Sequence, residues 1–194
     1  SIGNGAFANT GLKGELRLPK DLEVISHNAF NNCDFSGNLV LPENLHTIGD
    51  NAFANNWRLM GTLEIPENVI SIGSGAFSSC SSLEGLIFPE GLESIRSSAF
   101  TDCFGIGRII CKGTIPAYVQ NGALDGIAKD NFTLEVPESA IQQYQAATGW
   151  KDFKRISAYR NLVIRPSMAT AINTSVTRDL VLTADDEWYV ESQP

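Results

Sequence analysis

The most reactive side chains in this 194-residue sequence are four cysteines and two histidines, and their spacing limits the chemistry open to them. Cys33, Cys80, Cys103 and Cys111 stand 47, 23 and 8 residues apart. No C-x-x-C pair occurs, so a structural zinc cage has no local half to build on. Four thiols in this length also fall short of a disulfide scaffold. His27 and His46 lie in turn-like segments and read as solvent-facing. No G-x-S-x-G, H-E-x-x-H or phosphate-cradling glycine loop is present. Asp and Glu number 22 against 14 Lys and Arg, yet no carboxylate pair is singled out for work on a glycosidic bond. The residues nominate no catalytic, metal or cofactor site, and the chain reads as a non-enzyme.

The net charge of −8 and pI near 4.7 speak against a nucleic-acid partner, which needs clustered Lys and Arg. They also disfavour anionic membrane surfaces. No apolar run of about 18 residues exists to span a bilayer, and no basic-then-apolar start marks a secretion signal. The sequence opens inside a repeat unit, which reads as a mature or trimmed piece of a longer protein.

The elements that position these residues come from an internal repeat. "IGNGAF" at 2–7 returns as "ISHNAF" (25–30), "IGDNAF" (48–53), "IGSGAF" (72–77) and "IRSSAF" (95–100). A second motif keeps the same beat: "LRLP" (16–19), "LVLP" (39–42), "LEIP" (63–66) and "LIFP" (86–89). Both recur every 23 or 24 residues. The apolar positions fit neither a helix nor a strand alone. They fit one turn of a coil that buries its interior only against copies of itself.

Within a coil, the L-x-L triplet reads as a strand with its outer residues inward, ended by a proline without an N–H. Six strands follow, at 16–18, 39–41, 63–65, 86–88, 109–111 and 134–136. "GIGRIIC" (105–111) contains G-x-G but belongs to the fifth of these. The glycine after the repeat isoleucine suits a turn with positive φ, and "NAF" or "GAF" suits a single helical turn. "NGAL" (121–124) is a degraded copy. Cys33, Cys80 and Cys103 each fall three residues after the repeat phenylalanine, where other coils carry Thr10, Asn56 and Ile127. Cys111 takes an inward strand place. All four thiols read as buried, small hydrophobes.

Residues 137–157 are suited to cap the stack. Glu138 or Ser139 opens a helix with Ile141 and Tyr144 on one side, Gly149 stops it, and Trp150, Phe153 and Ile156 add apolar cover. After residue 160 the repeat is gone. "NLVIRP" and "RDLVLTADDEWYVESQP" alternate like strands of a β-sandwich.

The unit I-G-x-x-A-F-x-x-C-x-x-L-x-x-L-x-L-P-x-x-L-x-x resembles the BspA-like leucine-rich repeats of bacterial cell-surface proteins. "LEVPESAIQQYQAATGWKDFKRI" (134–156) is similar to the element that closes such arrays. The tail resembles the start of a bacterial immunoglobulin-like domain of the BACON type. The expected fold is an α/β leucine-rich-repeat solenoid of short strands and helical turns over 1–160, with a helical cap and a β-rich segment at 161–194. The resemblance implies an extracellular or cell-surface location and an adhesion or protein-interaction role with an unidentified extracellular or surface protein. An accessory carbohydrate-binding role in surface glycan uptake is the alternative, with a glycan as partner.

The outward residues of successive strands form one column: Arg17, Val40, Glu64, Ile87, Ile110 and Glu135. This is the candidate ligand-binding face. Beside it, Gly85 leaves the surroundings of Ile87 open. At about 4.8 Å per strand the face is only about 24 Å long and about 15 Å wide, a few hundred square ångströms against the roughly 800 Å² that a standard interface buries per partner. The strand columns carry no aromatics, which counts against a sugar platform. A further row, Lys20, Glu43, Glu67, Glu90 and Glu138, reads as a solvated charged edge, with Ca²⁺ capture as the lesser alternative.

Overall fold

The structure, a computed structural model, describes residues 1–159, 180–182 and 188–190. Two compact units emerge, Ser1–Ala158 and Tyr159–Pro194. In the first, strands follow in the order β1 (Lys13–Gly14), β2 (Val24–Ile25), β3 (Asp34–Phe35), β4 (Gly37–Asn38), β5 (Thr47–Ile48) and β6 (Leu59–Glu64). They continue with β7 (Ser71–Ile72), β8 (Leu83–Phe88), β9 (Ser94–Ile95), β10 (Arg108–Cys111), β11 (Tyr118–Val119) and β12 (Leu134–Val136). A 3₁₀ turn at Glu138–Ala140, the helix α1 (Ile141–Ala146) and β13 (Ile156–Ala158) close the unit. In the second unit, β14 (Leu180–Leu182) pairs antiparallel with β15 (Trp188–Val190). The expected strand "NLVIRP" lies outside the described residues.

The 23-residue period is a stack of parallel coils. One flank is a six-stranded sheet, β13-β12-β10-β8-β6-β4, and the other is a five-stranded ribbon, β11-β9-β7-β5-β2. In the ribbon, Ile2, Ile25, Ile48, Ile72, Ile95 and Val119 pair in one file. Between the flanks the repeat phenylalanines stack ring on ring. Centroids are 5.3 Å apart for Phe7–Phe30, Phe30–Phe53 and Phe53–Phe77, and 5.4 Å for Phe77–Phe100. Phe30, Phe53, Phe77 and Phe100 are buried. For Phe30, Phe53 and Phe77, stacking on both sides removes both ring faces from water, adding to the apolar area that the leucines and isoleucines bury.

The "NAF" segments are not helical. Ala29 N–H donates to Ser26 O and Asn31 N–H to Asn28 O, closing two tight turns. The intervening N–H groups leave the coil instead. Asn28, Phe30 and Asn32 donate to Asp50 O, Ala52 O and Ala54 O of the next coil, each at 2.8 Å. A helix would use those donors within the coil, so stacking and helix compete for them and stacking wins. Two residues four apart in each coil take the left-handed conformation, as at Asn28 (φ 56) and Asn32 (φ 52), which Asn and Gly tolerate. Positive φ thus falls two residues after the expected glycine. Gly49 and Gly73 serve close approach instead. A Cβ on Gly73 would lie 2.5 Å from the Gly49 carbonyl carbon.

Two expected strands, 16–18 and 39–41, are not strands, while β13 adds one after the cap: Leu134, Glu135 and Val136 pair with Ile156, Ser157 and Ala158. The cap is small. Its helix ends at Ala146, where Ala147 turns extended (ψ 135). Gly149 is therefore not the stop; it lies beyond, at φ +86, where a Cβ would strike Val119. Trp150 is fully buried, edge-on to Phe88 and Tyr144, and donates its indole N–H to Ala117 O at 2.8 Å.

Candidate functional site

The four thiols are committed to the interior. Cys33, Cys80, Cys103 and Cys111 are free and buried. At the repeat's thiol position they act as donors as well as fillers. Cys33 Sγ donates to Phe7 O, Cys80 Sγ to Phe53 O and Cys103 Sγ to Phe77 O, at 3.1, 3.3 and 3.1 Å. Asn56 does the same job with its amide, donating to Phe30 O at 2.8 Å and Phe53 O at 2.9 Å. Four successive coils thus satisfy the phenylalanine carbonyl of the coil before, while Thr10 bonds Phe7 O of its own coil and Ile127 offers no donor. The signal was present in the sequence: Thr10, Cys33, Asn56, Cys80 and Cys103 all carry a side-chain hydrogen-bond donor. Burial pushes the Cys103 thiol up to about 12 and raises Cys80 and Cys111 as well. Such thiols are inert as nucleophiles at neutral pH.

His27 and His46 are exposed. His27 Nδ1 accepts the Asp50 N–H at 3.0 Å, and Asp50 Oδ1 accepts the Ser74 N–H at 2.8 Å. His46 Nδ1 lies 3.0 Å from Thr47 Oγ1. The His27 and Asp50 bonds tie neighbouring coils, whereas the His46 contact stays within its own coil.

On the six-stranded face, four of the proposed column residues meet in register. Glu64 pairs with Ile87, Ile87 with Ile110, and Ile110 with Glu135. Ser157 extends the column through β13. Arg17 and Val40 belong to unpaired segments and do not join it. Ile87 and Ile110 are half-buried, flanked by ion pairs. Arg108 Nε donates to Glu135 Oε1 at 2.8 Å. Lys112 Nζ donates to Glu64 Oε1 and Glu67 Oε1, both at 2.9 Å. The hydrogen bond to Glu67, then that to Glu64, holds the Lys112 ammonium above its ordinary range. Gly85 is buried, not open: a Cβ there would lie 2.9 Å from Thr62 Oγ1. In the row after the prolines, Glu67 faces Lys112, so part of that edge is charge-paired.

Two surface features escaped the strand-column reading. Trp57 and Phe104 are 57% and 63% exposed. They hold the place just after the thiol position, outside the strands, in coils 3 and 5. Val40, 74% exposed, stands beside a groove of about 740 Å³ between coils 2 and 3.

Parallel coils of near-constant length, one isoleucine and one phenylalanine file, and a sheet on one flank define a leucine-rich-repeat solenoid. The chain belongs to the BspA type leucine rich repeat family, which residues 1–124 match in 6 copies. Among solved structures it is similar to a leucine rich cell surface protein from Faecalibacterium prausnitzii A2-165, at 14% identity and a TM-score of 0.30. That likeness covers 89% of this chain, which spans only 65% of the other. No curated protein matches.

Proposed function

We propose that the solenoid is a protein-interaction module displayed at a bacterial cell surface or secreted, docking through its six-stranded face. The observation that carries this reading is the in-register file Glu64–Ile87–Ile110–Glu135. It offers a half-buried aliphatic centre between two carboxylates, each fixed by its own cation. Membership in a family of surface repeat proteins supports the location. The short face implies weak binding by one such array.

The test is a panel of purified extracellular proteins and glycans screened against the full chain. Ile87→Asp with Ile110→Asp is expected to abolish a protein interaction while circular dichroism stays unchanged. Unchanged binding by that variant removes the strand face from consideration. The glycan reading draws on Trp57 and Phe104, and glycan binding lost on Trp57→Ala would favour it.

A further inference from the structure

Coil 3 does not ladder onto coil 2 along its whole length. Early in β6 the coils pair with an offset of 22 residues, Gly37 with Leu59 and Asn38 with Met60. The next motif sets Leu39 against Leu63 and Pro42 against Pro66, an offset of 24 (63 − 39 and 66 − 42). The two extra residues of coil 3 are Gly61 (φ 73) and Thr62, and at the same place the β6–β8 offset changes by one, from Gly61 with Leu83 to Thr62 with Gly85. Asn38 fills the space above Gly61. Beyond this slip, among the described residues, no backbone hydrogen bond joins Leu39–Pro42 to Thr62–Ile65. Past the slip, Asn68 Nδ2 donates to Glu43 O at 3.0 Å.

The slip leaves a strand edge open inside a groove. Ile65 N–H donates toward β8, to Ile87 O at 2.9 Å. Alternation along a strand then points the N–H and C=O of Thr62 and Glu64 the other way, into the groove. The groove's lining includes Val40, Thr62, Glu64, Glu43, Glu67 and Lys112. Three carboxylates stand against one ammonium there, so the local charge is negative. Unpaired edges of this kind template strand addition.

We propose that this groove takes an extended polypeptide segment of alternating cationic and aliphatic residues. The segment adds as a strand to the Thr62–Glu64 edge, its cations against Glu43 and Glu67 and an aliphatic side chain against Val40. The inference deepens the protein-interaction reading by naming a partner chemistry, but it uses a site separate from Ile87 and Ile110.

The probe is a blocked Lys-Val-Lys-Val-Lys peptide titrated into the full chain by NMR, beside its Glu-Val-Glu-Val-Glu counterpart and a copy N-methylated at alternate residues. In the free protein, Thr62 and Glu64 amides are expected to exchange faster than those of Leu63 and Ile65. The cationic peptide should shift and protect those two amides, and the acidic and N-methylated peptides should not. Glu43→Gln with Glu67→Gln should weaken it about tenfold. Ile87→Asp with Ile110→Asp should leave it unchanged, which separates this site from the column. Slow exchange at Thr62 and Glu64 in the free protein, absence of binding by the cationic peptide, or equal binding by the N-methylated or acidic peptide overturns the proposal.

Discussion

Asn56 shows how a single position reports the logic of the stack. It is fully buried where three other coils place cysteine, and its amide donates to Phe30 O and Phe53 O. Its Oδ1 has no partner, a defect that costs about 1–3 kcal/mol. Cysteine fits the same volume, keeps a donor for Phe30 O and removes the orphaned acceptor. Asn56→Cys should therefore stay within about 1 kcal/mol of the parent chain. Asn56→Leu strands the Phe30 carbonyl and should cost about 1–3 kcal/mol. Asn56→Asp, which loses both donor bonds and buries a carboxyl, should cost about 3 kcal/mol or more. Urea titration of the three variants checks the order. An aspartate as stable as the cysteine would show that the donor ladder contributes nothing.

At the scale of the element, the two kinds of glycine separate under substitution. Gly73 has an ordinary φ but no room, since a Cβ would meet Gly49 and Asp50 backbone atoms at 2.5–2.7 Å. Gly5 has φ +61 but space, its nearest neighbour being Ala8 Cβ at 4.0 Å. Gly73→Ala should destabilise by about 1–3 kcal/mol through forced separation of coils. Gly5→Asn, matching Asn28 and Asn51 at the same repeat place, should stay within about 0.5 kcal/mol. Thermal melts of both variants test the distinction. The same positions mark what the sequence reveals. Period and inward residues were legible because Ile, Phe and the L-x-L triplets recur in phase. The turn geometry was not, because single-coil reasoning assigns "NAF" its own hydrogen bonds, whereas two of its three N–H donors serve the next coil. The missing strand at 39–41 follows from a two-residue slip that spacing of prolines alone conceals. The column at Ile87 and Ile110 was legible from alternation, but the Lys112 and Arg108 ion pairs beside it span coils and have no local signature.

The whole stack should unfold unevenly along its axis. Each coil draws stability from its own packing and from its neighbours, so a coil whose repeat side chains are less buried is weaker than its bonds suggest. At the cap end, Trp150 and Phe153 are buried against the last coils. At the other end, Phe7 is 38% and Leu12 44% exposed, and Leu16 and Leu18 are only partly buried. Yet Phe7 N–H donates to Ala29 O at 2.8 Å, the same length as Phe77 N–H to Ala99 O. If hydrogen-bond geometry alone set protection, the two amides would exchange alike. If stacking sets it, Phe7 and Asn9 should exchange through local opening far faster than Phe77 and Ser79, with protection rising from coil 1 to coils 4 and 5. Amide exchange followed by NMR measures this, and equal protection at Phe7 and Phe77 would mean that the coils open as one cooperative body, with neighbour stacking contributing equally at both places.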